Sequence, residues 1–193
     1  MRAKATRDQI IEAADQLFYR NGYEHTSFSD IADTVQISRG NFYHHFKSKD
    51  EILHAVINRR LANTRQMLDR WEVESEHPID RIRSFINILV TNRTKIKRYG
   101  CPVGTLCAEL VKLGHPSQSE ANELFMLFRI WLRGQFMLMG REIDADELAM
   151  HILARSQGVA ILASTFRDEK FVQQEVRQMC EWLSALQASP AHR

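Results

Sequence analysis

The feature that most constrains this sequence is a pair of short, apolar helical segments separated by only three residues. Ile31 lies on the inner side of the first segment, and Phe42 and Phe46 lie on the inner side of the second. These side chains can share one small core only if residues 35–37 form a tight turn and the two helices cross steeply. That spacing predicts a helix-turn-helix over about residues 27–46. An ordinary corner between two helices has the same spacing, so spacing alone leaves DNA binding and plain packing equally open.

Helix boundaries can be read along the whole chain, and they predict an all-α fold of about nine helices. Hydroxyl residues followed three positions later by an acid or an amide indicate helix starts. They are Thr6 with Gln9, Ser27 with Asp30, and Ser48 with Glu51; Ser38 caps a further segment. Four helices are expected in the first fifty-odd residues. Later helices are expected over about 79–98, 103–113, 117–141, 145–167 and 169–186.

Composition narrows the class of protein without identifying a partner. The 193 residues are 44% hydrophobic and 26% charged, which suits one or two compact domains and excludes disorder as the main state. No apolar run approaches the length of a membrane span, so no membrane association is expected. Three cysteines are too few for a disulfide framework, which favours the reducing cytoplasm. The net charge is only +2, so any nucleic-acid surface has to be a local basic patch.

Residues 36–49 provide such a patch, because they include basic and polar side chains but no acid. Since its phenylalanines face inward, the second segment of the helix-turn-helix exposes Arg39, Gly40, Asn41, Tyr43 and His44. An Arg pairs with guanine edges and an amide with adenine, whereas Tyr, His and Lys reach phosphates. A solvated helix without a function usually mixes Glu with its Lys and Arg, so this composition favours DNA recognition.

The run Ser-Arg-Gly-Asn-Phe-Tyr-His-His-Phe-Lys-Ser-Lys at positions 38–49, within the segment 26–53, resembles the TetR/AcrR family of bacterial transcriptional regulators. The resemblance covers roughly the first quarter of the chain, and helix count and total length extend it to the whole. Gly-Cys-Pro at positions 100–102 is similar to a segment of electrophile- or drug-responsive repressors in that family. One residue departs from the pattern: Gln36 stands where the family turn has glycine, and a left-handed conformation there would cost about 1 kcal/mol.

The resemblance implies a homodimer with two parts. Residues 1–50 would form a three-helix DNA-binding domain, and residues 51–193 a larger ligand-binding and dimerisation domain. The protein would be a sequence-specific transcriptional regulator, a repressor that a small hydrophobic ligand or a cysteine modification releases from a palindromic operator. Base edges would be met by Arg39, Gly40, Asn41 and Ser27. Phosphates would be held by Thr26, Tyr43, His44 and Lys49.

The helix starting near Ser117 is apolar on nearly all sides, which predicts a central position. Its aromatic and methionine content suits an adaptable apolar cavity for a hydrophobic effector. The candidate ligand-binding residues are Phe125, Phe128, Trp131, Leu132 and Phe136 on this helix, with Phe85, Ile88 and Leu89 on an earlier one. Plain core packing is the alternative for each of them.

The last two helices show the spacing of packed helices. Apolar residues recur at alternating four- and three-residue steps at Val172, Val176, Met179, Leu183 and Leu186, and the preceding helix carries small residues beside Val159, Leu162 and Phe166. Intramolecular packing would use both features equally well. The family resemblance favours a two-fold homodimer made by these helices, with half-sites paired on palindromic DNA.

Cys101 is a candidate sensor. The following Pro102 predicts a helix start, and the basic residues at 95, 97 and 98 are close in sequence; both settings favour a reactive thiolate. The surrounding segment looks like one that carries an oxidant- or electrophile-sensing cysteine in some family members. A small capping or buried residue is the alternative.

Patterns for other chemistry are missing from the sequence. It has no nucleophile elbow, phosphate loop or HExxH run, and its cysteines and histidines lack the paired spacing of zinc sites. We therefore expect no enzymatic activity, cofactor or metal site. The alternative class is a thiol-based redox or small-molecule-binding helical protein without a DNA function.

Overall fold

A computed structural model describes residues 2–188, and every regular element in that part of the chain is an α-helix. The helices are α1 (Arg2–Asn21), α2 (Phe28–Val35), α3 (Arg39–His45), α4 (Lys49–Glu74), α5 (Pro78–Thr91), α6 (Arg93–Tyr99), α7 (Pro102–Leu113), α8 (Gln118–Leu138), α9 (Ala145–Phe166) and α10 (Glu169–Ala188). The predicted all-α fold is confirmed. No helix within 2–188 has the length and apolar character needed to cross a bilayer.

The serine caps explain where the short N-terminal helices start. Ser27 Oγ accepts a hydrogen bond from the Asp30 N–H (3.2 Å), and the Asp30 carboxylate accepts one from the Ser27 N–H (2.7 Å). These two bonds form a reciprocal capping box. Ser38 and Ser48 each accept a hydrogen bond from the N–H three positions later, at 3.3 and 3.1 Å. The box expected at Thr6 does not mark a helix start, because α1 already begins at Arg2.

The single helix predicted over 79–98 is interrupted at Asn92. This residue has φ −104° and ψ 11°, and its side-chain amide donates to the Ile88 carbonyl (3.1 Å), which also accepts the Asn92 N–H (2.9 Å). An Asn side chain that competes for a backbone carbonyl weakens a helix locally. The result is two helices, α5 and α6, that contact each other around this residue.

The chain divides into two compact units. The first contains residues 1–63 and 102–124, so that α1, α2, α3, the start of α4, α7 and the start of α8 belong together. Its buried apolar residues come from all of these helices: Ile10, Ala14, Phe18, Ile31, Phe42, Phe46, Leu53, Val56, Leu106, Leu110 and Leu124. The predicted boundary at residue 50, between a DNA-binding domain and a ligand-binding domain, stays a prediction. The compact units differ from it, because residues 102–124 are grouped with the N-terminal helices.

Of the described residues, the second unit contains 64–101 and 125–188. Its core is one apolar cluster to which α5, α8, α9 and α10 contribute fully buried side chains. Helix α10 contacts α5, α9 and also α6. Helix α10 is therefore an integral part of this unit.

Helix α8 is not central along its whole circumference. One face is buried through Leu124, Leu132 and Phe136, but Ile130 and Leu138 are more than 60% exposed. The predicted central position therefore applies to one face of α8 and not to its whole circumference.

Candidate DNA interface

The helix-turn-helix consists of α2, a three-residue turn and α3. Phe42 is buried and its ring meets Phe28 edge-on, with ring centres 5.1 Å apart. Phe46, which ends α3, is also buried. Since these side chains anchor α3 on one face, the remaining positions of this seven-residue helix point outward.

The turn adopts the left-handed conformation that the sequence departure at Gln36 put in question. Gln36 has φ 57° and ψ 42°, and its N–H donates to the Asp33 carbonyl (3.2 Å). The N–H of Ile37 donates to the Ala32 carbonyl at 3.2 Å. The turn is thus preserved by backbone hydrogen bonds, although a non-glycine residue occupies the strained position.

All five polar positions expected on the outer face of α3 are exposed. They are Arg39, Gly40, Asn41, Tyr43 and His44. Arg39 reaches back to α2, where its guanidinium donates to Ser29 Oγ (3.3 Å). The other end of the guanidinium keeps its donors for a planar acceptor such as a guanine edge. Ser27 is exposed too, but its hydroxyl belongs to the capping box.

Two of the residues expected to hold phosphates are turned into the protein. Thr26 is fully buried, and its hydroxyl donates to the Gly22 carbonyl (2.7 Å), so this side chain is not available to DNA in this structure. The Lys49 ammonium donates to the carbonyls of Tyr23 (3.1 Å) and Glu24 (3.3 Å) and lies 4.3 Å from the centre of the Tyr23 ring. Both side chains therefore support the turn that precedes α2.

Lys47 is the basic residue that sequence reasoning missed at this surface. It is exposed, and its ammonium donates to the Tyr43 carbonyl (2.5 Å) at the end of α3. A cation here also compensates the negative end of the helix dipole. The acid-free run 36–49 contained the signal, but the direction of each Lys depends on contacts that the run does not encode.

A second polar group lies where α1, α4 and α7 meet within the first unit. The Tyr23 hydroxyl donates to Asp50 Oδ1 (2.5 Å), and His115 Nε2 lies 3.2 Å from the Tyr23 oxygen. The Tyr23 hydroxyl holds the pKa of Asp50 below its usual value, with His115 and Lys49 adding to the effect and burial opposing it. Burial and the hydrogen bond to Asp50 raise the pKa of Tyr23 far above that of an ordinary tyrosine.

In the second unit, the eight predicted ligand-binding residues share one apolar cluster. Phe85, Leu89, Phe128, Leu132 and Phe136 are buried in it, and Ile88, Phe125 and Trp131 pack against it. The rings of Phe85 and Phe128 meet edge-on at 5.3 Å. The structure thus brings these residues together as packed core, and their role towards a ligand stays a prediction.

An open groove of about 540 Å³ lies elsewhere in this unit, at the end of α8. It is lined by Glu72, Gly134, Gln135, Met137, Leu138 and Glu142. Gln135 is buried, and its amide bridges Arg81 Nη1 (3.2 Å) and Glu72 Oε1 (3.3 Å). None of the predicted ligand residues lines this groove. In the sequence, the polar residue Gln135 within the largely apolar α8 segment was the feature that could have indicated this groove.

The residues predicted for dimerisation separate into two groups. Val159, Val172, Val176, Met179 and Leu183 are buried in the core of their own chain, so they cannot meet a partner in this structure. Their regular spacing reflects the packing of α10 on α5 and α9. Leu162 and Phe166 are exposed by 42% and 71%, and Leu186 is partly exposed. Within the single chain, only Leu162, Phe166 and Leu186 of the predicted set are open to a partner, and the dimerisation role of the set stays a prediction.

Cys101 is half-buried and packs against the apolar cluster of the second unit. It directly precedes α7, as predicted, and it is the last residue before the chain enters the first unit at Pro102. One of the cations expected near it is engaged elsewhere, because the Lys97 ammonium pairs with Glu169 at 2.6 Å.

Comparison with known proteins identifies the family of this helix-turn-helix chain. Residues 10–56 match the family described as bacterial regulatory proteins, tetR family. An uncharacterized HTH-type transcriptional regulator in the lacX 3' region of Lactococcus lactis is 30% identical over 167 residues, covering 84% of this chain and 85% of that protein. The HTH-type transcriptional repressor DhaR of a Mycobacterium species is 24% identical over 165 residues, 80% of each chain. A TetR-family regulator from Agrobacterium tumefaciens has the same fold, with a TM-score of 0.82 at 21% identity over 93% of this chain and 97% of that one.

Regulators of this family bind operator DNA and small-molecule effectors and act as dimers; they are not enzymes. The geometry of α2 and α3 agrees with that function, since Arg39 and Asn41 are exposed on α3 while Phe42 packs inward. The chain belongs to the TetR family of bacterial regulatory proteins and is a helix-turn-helix DNA-binding transcriptional regulator.

Proposed function

We propose that this regulator is a cytoplasmic repressor that occupies a palindromic operator as a homodimer, and that an effector bound in its second unit releases it. The single observation that carries the proposal is the outer face of α3, which is polar, exposed and free of acids over residues 36–49. Each recognition helix enters one major groove, so the two copies in a dimer have to lie about 34–36 Å apart, or a small multiple of that distance.

The roles of the α3 residues follow from their exposure. Arg39 and Asn41 present planar donors and acceptors to base edges, and Gly40 allows the backbone to approach the groove closely. Tyr43, His44 and Lys47 contact phosphates, which fix the register of the helix but do not read sequence. In this proposal Lys47 replaces Lys49, because the Lys49 ammonium is bound to backbone carbonyls.

The dimer interface is proposed on the outward stripe of α9. Met150, Ala154, Gly158, Ile161 and Leu162 are exposed and recur at helical spacing. Gly158 and Ala154 permit close approach of a second helix, and Ile161 and Phe166 are exposed by 63% and 71%. Large apolar side chains concentrated on one stripe are a feature of surfaces that a partner covers. A two-fold axis through this stripe would pair it with its own copy.

The effector is proposed to be a small hydrophobic molecule held by the second unit. The aromatic and aliphatic cluster around Phe85 and Phe128 supplies adaptable apolar surface for such a molecule. In this proposal the ligand and the operator bind best to different spacings of the two recognition helices. The ligand therefore lowers the affinity for the operator by the same factor by which the operator lowers the affinity for the ligand.

Modification of Cys101 is the second proposed route of release. The sulfur lies in the second unit, and the next residue starts α7 in the first. An electrophile that alkylates Cys101 adds bulk at this connection. Alkylation should release the wild-type protein from DNA and leave the Cys101→Ser variant bound; equal release of both proteins would exclude this route.

The experiment that tests the proposal is selection of bound duplexes from random and genomic DNA with the full-length protein. A repressor yields a palindrome with two half-sites, and adding the protein to a transcription assay whose promoter carries that palindrome lowers the transcript yield. The competing interpretation, a thiol-based redox or ligand-binding protein without a DNA function, predicts no enriched sequence at low ionic strength. The Arg39→Ala variant of the full chain distinguishes the two further, because only a regulator loses sequence-specific DNA binding through it while keeping its ligand.

A further inference from the structure

The turn between α1 and α2 is bound by a residue that lies outside the helix-turn-helix. Gly22, at φ +88°, reverses the chain so that two successive N–H groups point towards α7. The Tyr23 N–H donates to Glu109 Oε2 and the Glu24 N–H to Glu109 Oε1, each at 2.9 Å. Successive N–H groups after a left-handed residue form a concave anion site. Here a carboxylate from 85 to 86 residues further along the chain occupies that site.

The opposite edges of the same two peptide groups are bound as well. Lys49 Nζ donates to the carbonyls of Tyr23 and Glu24 at 3.1 and 3.3 Å. A carboxylate therefore binds the N–H groups of this turn and an ammonium binds its carbonyls. Hydrogen bonds with one charged partner are about twice as strong as neutral ones, so the turn is held firmly on both sides.

The turn leads directly into the start of α2. The Thr26 N–H donates to the Tyr23 carbonyl (3.2 Å), and the Thr26 hydroxyl donates to the Gly22 carbonyl (2.7 Å). Thr26 is fully buried, and the next residue, Ser27, is the N-cap of α2. Hydrogen bonds thus connect Glu109 through the turn to Thr26, which immediately precedes the N-cap of the helix on which α3 packs.

The fit at this contact is tight. A Cβ added to Gly22 would lie 2.9 Å from Glu109 Oε1, closer than real Cβ contacts allow. The carboxylate therefore packs directly against Gly22 as well as bonding to the turn, and a side chain at position 22 would displace it.

We propose that Glu109 is a positioning residue for DNA binding, which sets the start of α2 and through it the orientation of α3 against the duplex. The inference rests on the proposed role of α3 in reading DNA. Glu109 touches no base and no phosphate in this proposal; it acts through Tyr23 and Glu24.

The Glu109→Gln variant tests the inference because two effects have opposite signs. Removing a negative charge from a DNA-binding unit strengthens binding to a polyanion if charge alone matters. Loss of a charged acceptor for two N–H groups weakens binding if position matters, and we expect about a tenfold loss of affinity for a duplex selected by the wild-type protein. The control is Glu123→Gln, which removes the same charge from an exposed position in the same unit.

The assay is fluorescence anisotropy with the selected duplex and with a scrambled duplex, at one salt concentration. Mispositioning of α3 lowers affinity for the selected duplex more than for the scrambled one, whereas partial unfolding lowers both alike. Glu109→Gln binding as tightly as Glu123→Gln, or an equal loss on both duplexes, would overturn the inference. Failure of the wild-type protein to bind any duplex would instead overturn the proposed function, and the inference with it.

A double-mutant cycle addresses the contact itself. Gly22→Ala introduces the methyl group that meets the Glu109 carboxylate, so its effect on affinity should be smaller in a Glu109→Ala background. Additive losses would contradict a direct contact. Amide hydrogen exchange in the wild-type protein needs no variant: slow exchange at Tyr23 and Glu24, in the free protein and on the duplex, is expected. Exchange as fast as in an unfolded peptide would refute the proposal.

Discussion

Replacement of Gln36 by glycine should stabilise the helix-turn-helix. Gln36 is exposed and holds the left-handed conformation at the end of α2, with φ 57° and ψ 42°. The hydrogen bonds of the turn are made by backbone groups, including the Ile37 N–H to the Ala32 carbonyl, and glycine retains them. The substitution therefore removes strain without removing the bonds that define the turn.

The magnitude follows from two opposing terms. A left-handed conformation costs an L-residue about 1–2 kcal/mol, which glycine avoids. Glycine loses more freedom on folding, a cost of about 0.5–1 kcal/mol. The free energy of unfolding should thus rise by about 0.5–1 kcal/mol in Gln36→Gly. With a urea slope of about 2 kcal/mol/M, the midpoint of unfolding rises by about 0.3–0.5 M.

The assay is urea unfolding followed by far-UV circular dichroism, at one protein concentration because the protein acts as a dimer. Tryptophan fluorescence recorded on the same samples reports the second unit alone, since Trp71, Trp131 and Trp182 all lie there. Gln36→Ala is the matched control, because alanine loses the same side-chain contacts but keeps the strain. A midpoint for Gln36→Gly at or below that of Gln36→Ala would refute the reasoning.

Three further predictions concern the interfaces and the polar cluster. Arg39→Ala should reduce discrimination between the selected operator and a mismatched duplex by about 1–3 kcal/mol. Lys47→Ala should instead weaken binding to all duplexes alike and reduce the slope of log affinity against log salt concentration by about one. Competition binding at several salt concentrations distinguishes the two variants, and identical uniform losses would contradict the assigned roles. Gly158→Leu should yield a folded 22.5 kDa monomer in sedimentation equilibrium, because a Cβ at Gly158 would meet no described atom of its own chain within 4 Å. Gly158→Ala is the control and should stay dimeric. An unchanged dimer in Gly158→Leu would exclude the outward stripe of α9 as the dimer interface. Because the pKa of Asp50 is lowered in the folded state, its ionised form contributes stability above the unfolded pKa near 4, and that contribution is lost as the pH falls through the lower folded pKa. The difference in urea midpoint between the wild-type protein and Asp50→Asn should therefore shrink below about pH 4, and a difference that stays constant down to pH 3 would count against this account.

Features governed by short-range rules could be predicted from the sequence. The caps at Ser27 and Ser38 depend on a hydroxyl and an N–H three residues apart, and the inward direction of Phe42 follows from helical spacing. The exposed face of α3 was therefore identified correctly, residue by residue. The spacing of the apolar residues also predicted the short turn, but the family resemblance, and not the spacing, raised the question of a left-handed residue at Gln36.

Features that depend on distant partners could not be predicted in the same way. The acid-free run suggested that Lys49 faces DNA, but the carbonyls of the turn after α1 bind its ammonium. Thr26 is short enough to be enclosed completely, and its hydroxyl finds a carbonyl inside the protein. The sequence gives the charge and polarity of such side chains, whereas their direction is decided by which acceptor the fold brings within reach.

The apolar spacing along α10 illustrates a further difference, between identifying a face and identifying its partner. Alternating steps of four and three residues show that Val172, Val176 and Met179 lie on one side of a helix, but the same pattern serves a helix of the same chain or of another. In this structure α5 and α9 cover that side. A dimer then has to use surface that remains open, and the exposed stripe of α9 around Gly158 combines apolar character with room for close approach. In the proposed dimer, the small residues of α9 therefore face the partner, while the regular apolar spacing of α10 belongs to the side turned to its own core.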